Sequence, residues 1–461
     1  MRVDRKWSVL FAVGVGTFMT AMDGSVANAV LPVIGRSLAS DMAAVEWVTI
    51  VYLLGISGLL LALGRLGDLR GHRSVYLGGF GVFVTGSALC GLAPSVPVLV
   101  AFRGVQAIGG AMLMSNSPAI LTKHFPSTQR GQALGVQAAM TYVGLCAGPS
   151  LGGWLAAALG WRSVFYINVP VGLLAIMLSL RSIPSDAPSS PDRPERFDLV
   201  GAVTFLAGLV ALLLALNQGH DWGWVSTPVL GLLGAAAALG LAFLWIEHHS
   251  VSPMLDLGLF RSRSFSAAAA SALLNHLCVS TVTFGLPFYL IQTRHLDPSQ
   301  AGAVLTAQPI LMALAAPLSG TLSDRLGARL VATPGMAILG IGLWILSRLQ
   351  AHSTLGHVTL GLAVVGLGAG IFVSPNNSAL LGAAPAHRRG IASGVLATAR
   401  NMGMVLGVGL AGAILTTAQA HSTDEAGGMV AGIRWGFLSA AGLAAVGMVL
   451  SAVRGTQSDP P

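Results

Sequence analysis

The sequence predicts an all-α membrane protein of fourteen transmembrane helices, arranged as six, two and six, with N and C termini in the cytoplasm. Three observations lead there. Of the 461 residues, 54% are hydrophobic and only 9% charged, with a mean hydropathy of +0.75; soluble chains carry about 25% charged residues, so lipid must solvate much of this surface. Fourteen apolar runs approach the roughly 20 residues that a spanning helix needs. Lys and Arg gather on alternate connections between those runs, as they do on the cytoplasmic side of membrane proteins.

The elements follow in chain order. The first run, 8–33, comes after the basic stretch Met1–Trp7, but it is too long for a signal core and contains Asp23, so it reads as an uncleaved first helix. Runs at 46–64, 75–93, 96–121, 131–154 and 162–181 complete an N-terminal six-helix bundle, 1–182. Residues 183–198, rich in proline and charge, form a cytoplasmic linker. Helices at 199–217 and 228–246, with the loop after them, make an inserted pair over 199–264. The C-terminal bundle, 265–461, holds helices at 265–291, 301–320, 330–349, 357–380, 391–417 and 433–453.

With the N-terminus inside, 18 of the 25 Lys and Arg residues fall on inner loops and tails, 5 fall outside, and Arg103 and Arg400 lie within helices. Trp7 and Trp245 mark the inner border, and Trp47, Trp154, Trp161, Trp222, Trp224 and Trp435 the outer one. The net charge of +8 therefore belongs to membrane topology, and no basic stretch long enough for nucleic acid occurs. Cys90, Cys146 and Cys278 stand far apart in apolar runs, with neither metal-ligand nor disulfide spacing.

An internal repeat ties the two bundles together. Gly64-Arg-Leu-Gly-Asp-Leu-Arg-Gly-His-Arg73 follows the second helix, and Gly320-Thr-Leu-Ser-Asp-Arg-Leu-Gly-Ala-Arg329 follows the tenth, with five of ten positions identical. Each reads as a short cytoplasmic loop whose glycines allow a sharp turn. A carboxylate, Asp68 or Asp324, stands between basic groups that end in Arg73 or Arg329. Asp68 can accept from Arg73 or from a helix N-terminus, a latch able to open and close at the inner face. Parallel repeats are a feature of secondary transporters, with the substrate path between them.

The first of these segments resembles the signature loop of the major facilitator superfamily: Gly-x-Leu-Ala-Asp, a basic residue, any residue, Gly and two basic residues. Gly64, Asp68, Gly71 and Arg73 match; Gly67 replaces the alanine, and Leu69 stands where a basic residue is usual. Arg103-Gly-Val-Gln106 in the fourth helix resembles the family's Arg-x-x-Gln pattern. In the fifth helix, Gly144, Gly148, Pro149, Gly152 and Gly153 match the signature of its proton-coupled exporters; glycines four apart also make a groove for close packing. The stretch Asp23-Gly-Ser-Val-Ala-Asn28 in the first helix resembles the fourteen-helix drug:proton antiporter family, as does Arg400-Asn401 in the thirteenth. The resemblance implies the major facilitator fold, no cofactor, and the proton gradient as energy source.

The acids single out one carrier. Of 17 Asp and Glu residues, only Asp23 falls deep within a run; the others read as loop, tail or helix-end residues. A buried carboxylate whose surroundings alternate can take up and release a proton, with Arg103 as its electrostatic partner. Candidate cavity residues are Asn28, Gln106, Asn275, His276, Arg400 and Asn401. Rival classes are weak. The two lysines, Lys6 and Lys123, precede Trp7 and His124, so no ATP-binding loop exists. No charged ring suggests a channel, and no acid–base cluster suggests an enzyme. The expected activity is proton-coupled efflux of hydrophobic, cationic or neutral drugs by a monomer in the cell membrane, in contact with lipid. The alternatives are a dedicated exporter of an endogenous metabolite or antibiotic, and a lipid-handling protein.

Overall fold

The computed structural model describes residues 5–126, 130–184, 199–250, 257–385, 389–422 and 425–453. Among these residues the regular structure is helical throughout, with no strand, and fourteen helical stretches are long and apolar enough to cross a membrane. The linker expected at 183–198 lies almost wholly outside the described residues.

The first compact unit spans Met1–Ala202 and also takes in Leu296–Thr306. It contains α1 (Arg5–Ser37), α2 (Met42–Arg70), α3 (His72–Leu92), α4 (Val96–His124), α5 (Arg130–Leu159), α6 (Ser163–Tyr166), α7 (Asn168–Ser182) and the short α11 (Pro298–Leu305). The second unit spans Val203–His295 and Ala307–Pro461. Most of α8 (Leu199–Trp222) belongs to it, with α9 (Thr227–His249), α10 (Arg263–Phe288), α12 (Ala307–Leu326), α13 (Ala328–Ser347), α14 (Leu355–Gly382), α15 (Arg389–Ala420) and α16 (Glu425–Ala452).

Several helices outrun the apolar stretches that announce them. Helix α1 has 33 residues, about 50 Å at 1.5 Å per residue, against a hydrocarbon core of about 30 Å. Polar residues at the ends simply continue the backbone ladder. Two spans each lose a rung of the helical ladder where the sequence suggests a single run, with helical backbone angles kept at Ile167 and Thr306, and proline explains both. Pro170 cannot donate to the carbonyl of Tyr166, the last residue of α6, and Pro309 cannot donate to that of Leu305, the last of α11. The chain resumes as α7 after Ile167 and as α12 after Thr306.

The repeat is correct in position, but its reading as a loop needs correction. Gly64 and Gly67 lie inside α2, which runs to Arg70, and α3 starts at His72. The whole turn is Gly71, at φ 90° and ψ 128°; its counterpart Gly327, at φ 87° and ψ 148°, joins α12 to α13. Only glycine adopts such a conformation without strain. Gly67 has a steric reason to replace the alanine of the family pattern, because a Cβ there would collide with the Asn116 side chain from α4. The halves match in packing as well. A Cβ on Gly109 of α4 would strike the backbone of Phe83 on α3, and one on Gly368 of α14 would strike the backbone of Leu339 on α13. Both crossings bring backbones into contact, the mode of association available when lipid is as apolar as the side chains. Helices α8 and α9 meet through Phe205 and Phe243, with ring centroids 5.2 Å apart.

Candidate functional site

The polar centre of the first unit is a closed network around Asp23 on α1. Asp23 Oδ2 accepts from Arg103 Nη1 at 2.7 Å. Its Oδ1 accepts from Gln106 Nε2 at 2.9 Å and from Asn168 Nδ2 at 2.7 Å. Arg103 also donates to Gln106 Oε1 at 2.7 Å and, through Nε, to the Val48 carbonyl at 3.2 Å. Its guanidinium lies over the Tyr52 ring, 4.1 Å from the centroid. Asn168 donates again to Ser87 Oγ at 2.9 Å. Asp23 is 2% exposed and Arg103 1%, so Arg103 does not reach out to the surface.

Local structure puts each group in place. Arg103 and Gln106 are three apart on α4 and share a face. Asn168 is the first residue of α7, directly after Ile167. Taking two charges out of water costs several kcal/mol per ion, and good geometry with further hydrogen bonds is what offsets it. Here the three contacts described to the carboxylate all come from donors. The Tyr52 hydroxyl and Asn168 Oδ1 beside the pair make no hydrogen bond.

The glycines of α5 form two contacts. Cβ atoms on Gly144, Gly148 and Gly152 would meet Phe18, Ser25 and Val26 of α1, while one on Gly153 would collide with the Pro298 carbonyl of α11. In return, a Cβ on Gly302 of α11 would collide with the Pro149 carbonyl. Two side-chain bonds accompany this packing: Ser25 Oγ to the Leu145 carbonyl at 3.1 Å, and Ser150 Oγ with Thr306 Oγ1 at 2.7 Å. The helix carrying Asp23 is thus held tightly along α5.

The remaining candidates scatter. Asn28 accepts from Thr49 Oγ1 at 2.6 Å, away from Asp23. Gln106 belongs to the Asp23 network, while Asn275 and Asn401 are buried in the second unit. Asn275 Nδ2 lies 3.5 Å from Met336 Sδ, a long contact. His276 Nδ1 lies 2.9 Å from the Ala272 carbonyl, and its Cβ faces Gly403 where α10 crosses α15. Arg73 Nη2 donates to the Leu180 carbonyl at 3.1 Å. The side chains of Asp68 and Asp324 lie outside the described residues, and Arg329 is exposed.

Sequence reasoning missed two kinds of residue. Asn168, Ser87 and Tyr52 complete the network, yet attention to acids alone passed over them; a polar amide beside Pro170 within an apolar run is the signal that could have found Asn168. The burial of two helix-end acids also went unread. Glu46 in the opening turns of α2 is 0% exposed and Glu247 near the end of α9 is 3% exposed. Both lie near helix ends, as the sequence suggests, and packing encloses them.

The model of the Major Facilitator Superfamily matches residues 13–262 and 268–461. The riboflavin transporter RibZ of Clostridioides difficile is 33% identical over 405 residues, covering 88% of this chain and 87% of that protein. The multidrug resistance protein Stp of Mycobacterium tuberculosis (strain ATCC 25618 / H37Rv) is 35% identical over 407 residues, covering 88% of this chain and 75% of that one. Among solved structures, a bacterial homolog of the human lysosomal transporter Spinster superposes with a TM-score of 0.70 at 14% identity, over 98% of each chain. At that identity the likeness concerns the fold.

Proposed function

Because the chain belongs to the major facilitator superfamily, and so is a multi-pass membrane transporter rather than an enzyme, we propose that it exports hydrophobic, cationic or neutral compounds in exchange for protons. The observation that carries this reading is the Asp23–Arg103 pair, sealed inside the first unit with three donors on one carboxylate. Such a pair is a two-state element. Ionised, Asp23 holds Arg103 and the amides of Gln106 and Asn168. Protonated, it releases part of that network, and the helices it joins, α1, α4 and α7, can shift relative to one another. Tyr52 Oη and Asn168 Oδ1 offer partners for groups freed in the change.

In this scheme the proton gradient supplies the energy and no cofactor takes part. Proton and cationic cargo compete for one carboxylate, which gives exchange with mutual exclusion. Both termini are cytoplasmic, the monomer is the working unit, and Asp68, Arg73, Asp324 and Arg329 act at gates beside the Gly71 and Gly327 turns. His276, Arg400 and Asn401 are the second unit's candidates for contact with cargo. The multidrug resistance protein among the relatives supports a broad apolar cargo. The riboflavin transporter favours a second reading, a carrier dedicated to one aromatic metabolite.

Everted vesicles test the proposal. Ethidium is expected to accumulate when a proton gradient is imposed and to leak back when a protonophore collapses it. Transport that persists without the gradient removes proton coupling. Saturable riboflavin transport without any ethidium transport selects the second reading.

A further inference from the structure

Away from the network, α13 and α16 leave an apolar groove on the surface of the second unit. The two helices run antiparallel: Thr333 Oγ1 meets Ser451 Oγ at 3.3 Å, Met336 reaches Gly447, and Gly340 lies against Ala444. The groove has a volume of about 280 Å³, and none of its lining residues is charged. Met336, Gly340 and Trp344 form one wall; Ala441, Ala445 and Met448 form the other. Glycine and alanine leave room that larger side chains would fill. Trp344 is 53% exposed.

Both walls continue into an arginine at the same end. Gly340, Trp344 and Arg348 are four apart, on one face of α13 and its cap. Arg434, Ala441 and Met448 are seven apart, on one face of α16. The antiparallel register that pairs 336 with 447 and 340 with 444 brings Arg348 level with Arg434. Both are exposed. The Arg348 guanidinium stands 5.7 Å from the Trp344 ring centroid, and that of Arg434 stands 6.0 Å from the Trp435 ring. Arg294, whose Nη1 donates to the Ala351 carbonyl at 2.7 Å, adds positive charge nearby. Helix α13 contains no acid, and the one acid of α16 is Glu425, at its first position.

The depth fits one leaflet. From Arg348 to Met336 is twelve residues, about 18 Å of helix, against about 15 Å for half the hydrocarbon core. Tryptophan beside arginine is the side-chain pairing of the headgroup level. We propose that this groove is a binding site for an anionic phospholipid: one acyl chain lies between α13 and α16 while Arg348 and Arg434 hold the phosphate-bearing headgroup. A zwitterionic lipid fits the same groove but brings no net charge to the arginines. The assignment is independent of proton coupling and of cargo.

The test places the purified full-length protein in bilayers with phospholipids brominated on their acyl chains, which quench nearby tryptophan. The Trp344 signal is the part lost in Trp344→Phe. Brominated phosphatidylglycerol is expected to occupy the site at least about fivefold better than brominated phosphatidylcholine, the factor from one guanidinium near an anionic headgroup. Arg348→Gln and Arg434→Gln singly should lower this ratio, and together bring it close to one. Arg36→Gln, a charge change in the first unit, should leave it unaltered. Gly340→Leu, with both arginines intact, should reduce quenching by either lipid. A ratio near one in the wild type overturns the proposal, as does a ratio unmoved by the arginine changes. So does a Trp344 that neither lipid quenches because a second copy of the chain covers it, seen as a dimer by mass.

Discussion

Arg103→Met tests whether the buried pair holds the first unit together. The substitution keeps a long apolar stem but leaves the Asp23 carboxyl group, 2% exposed, with only the amides of Gln106 and Asn168 as partners. Breaking a buried pair from one side costs about 3–5 kcal/mol, and loss of the stacked guanidinium over Tyr52 adds up to about 2 kcal/mol. In a membrane protein the unfolded state also finds partners for polar groups, so the lower bound of about 3 kcal/mol applies. For a unit of this size that corresponds to a melting temperature lowered by about 6–12 °C. Asp23→Asn should fall by a similar amount, because the guanidinium then faces a neutral amide. The combined Asp23→Asn, Arg103→Met protein removes both charges and should melt nearer the wild type than either single variant, a coupling of about 2–3 kcal/mol. The assay is thermal unfolding of purified protein followed by tryptophan fluorescence. Single effects that simply add in the double variant would refute the reasoning.

Three further outcomes follow from the same geometry. Asn168→Ala removes a donor to Asp23 and another to Ser87, and should cost about 1–3 kcal/mol in the same melting assay; a neutral result would show that the amide is dispensable. Gly148→Val drives a branched side chain into Ser25 and Val26 of α1, and should destabilise by about 1–3 kcal/mol through overpacking, read as lower thermal stability and lower yield of folded protein, whereas Val at the uncrowded Gly81 should do neither. Gly71→Ala and Gly327→Ala each place a Cβ at a positive φ, and should each cost about 1–2 kcal/mol; a loss at only one of them would contradict the equivalence of the two turns.

Much of the fold is legible in the sequence because bilayer thickness leaves only helices of a minimum length, and fourteen apolar runs meet it. The repeat is legible for a similar reason, since a one-residue reversal needs glycine at Gly71 and again at Gly327. Other features depend on contacts that no local pattern carries. Gly64 and Gly67 look like turn residues, yet both lie within α2, and only the arrival of Asn116 from α4 explains Gly67. Pro170 and Pro309 each remove a rung from a span, and an apolar run alone does not say which carbonyl is left without its partner. The pairing of Asp23 with Arg103 is legible as charge in search of charge. Asn168 is not, because one amide among apolar neighbours carries no sign of the carboxylate it meets 145 positions away. The burial of Glu46 likewise comes from tertiary packing around a helix start that reads as polar.

The central claim is that Asp23 carries the exchanged proton, and its direct measurement is proton release from purified protein. Weakly buffered wild-type protein in detergent, mixed with tetraphenylphosphonium as a lipophilic cation, should release protons as cargo displaces them. Asp23→Asn, kept below its own melting temperature and verified as folded, should release none, even at tetraphenylphosphonium concentrations raised to offset its weaker binding. Equal proton release from wild type and Asp23→Asn would contradict the account.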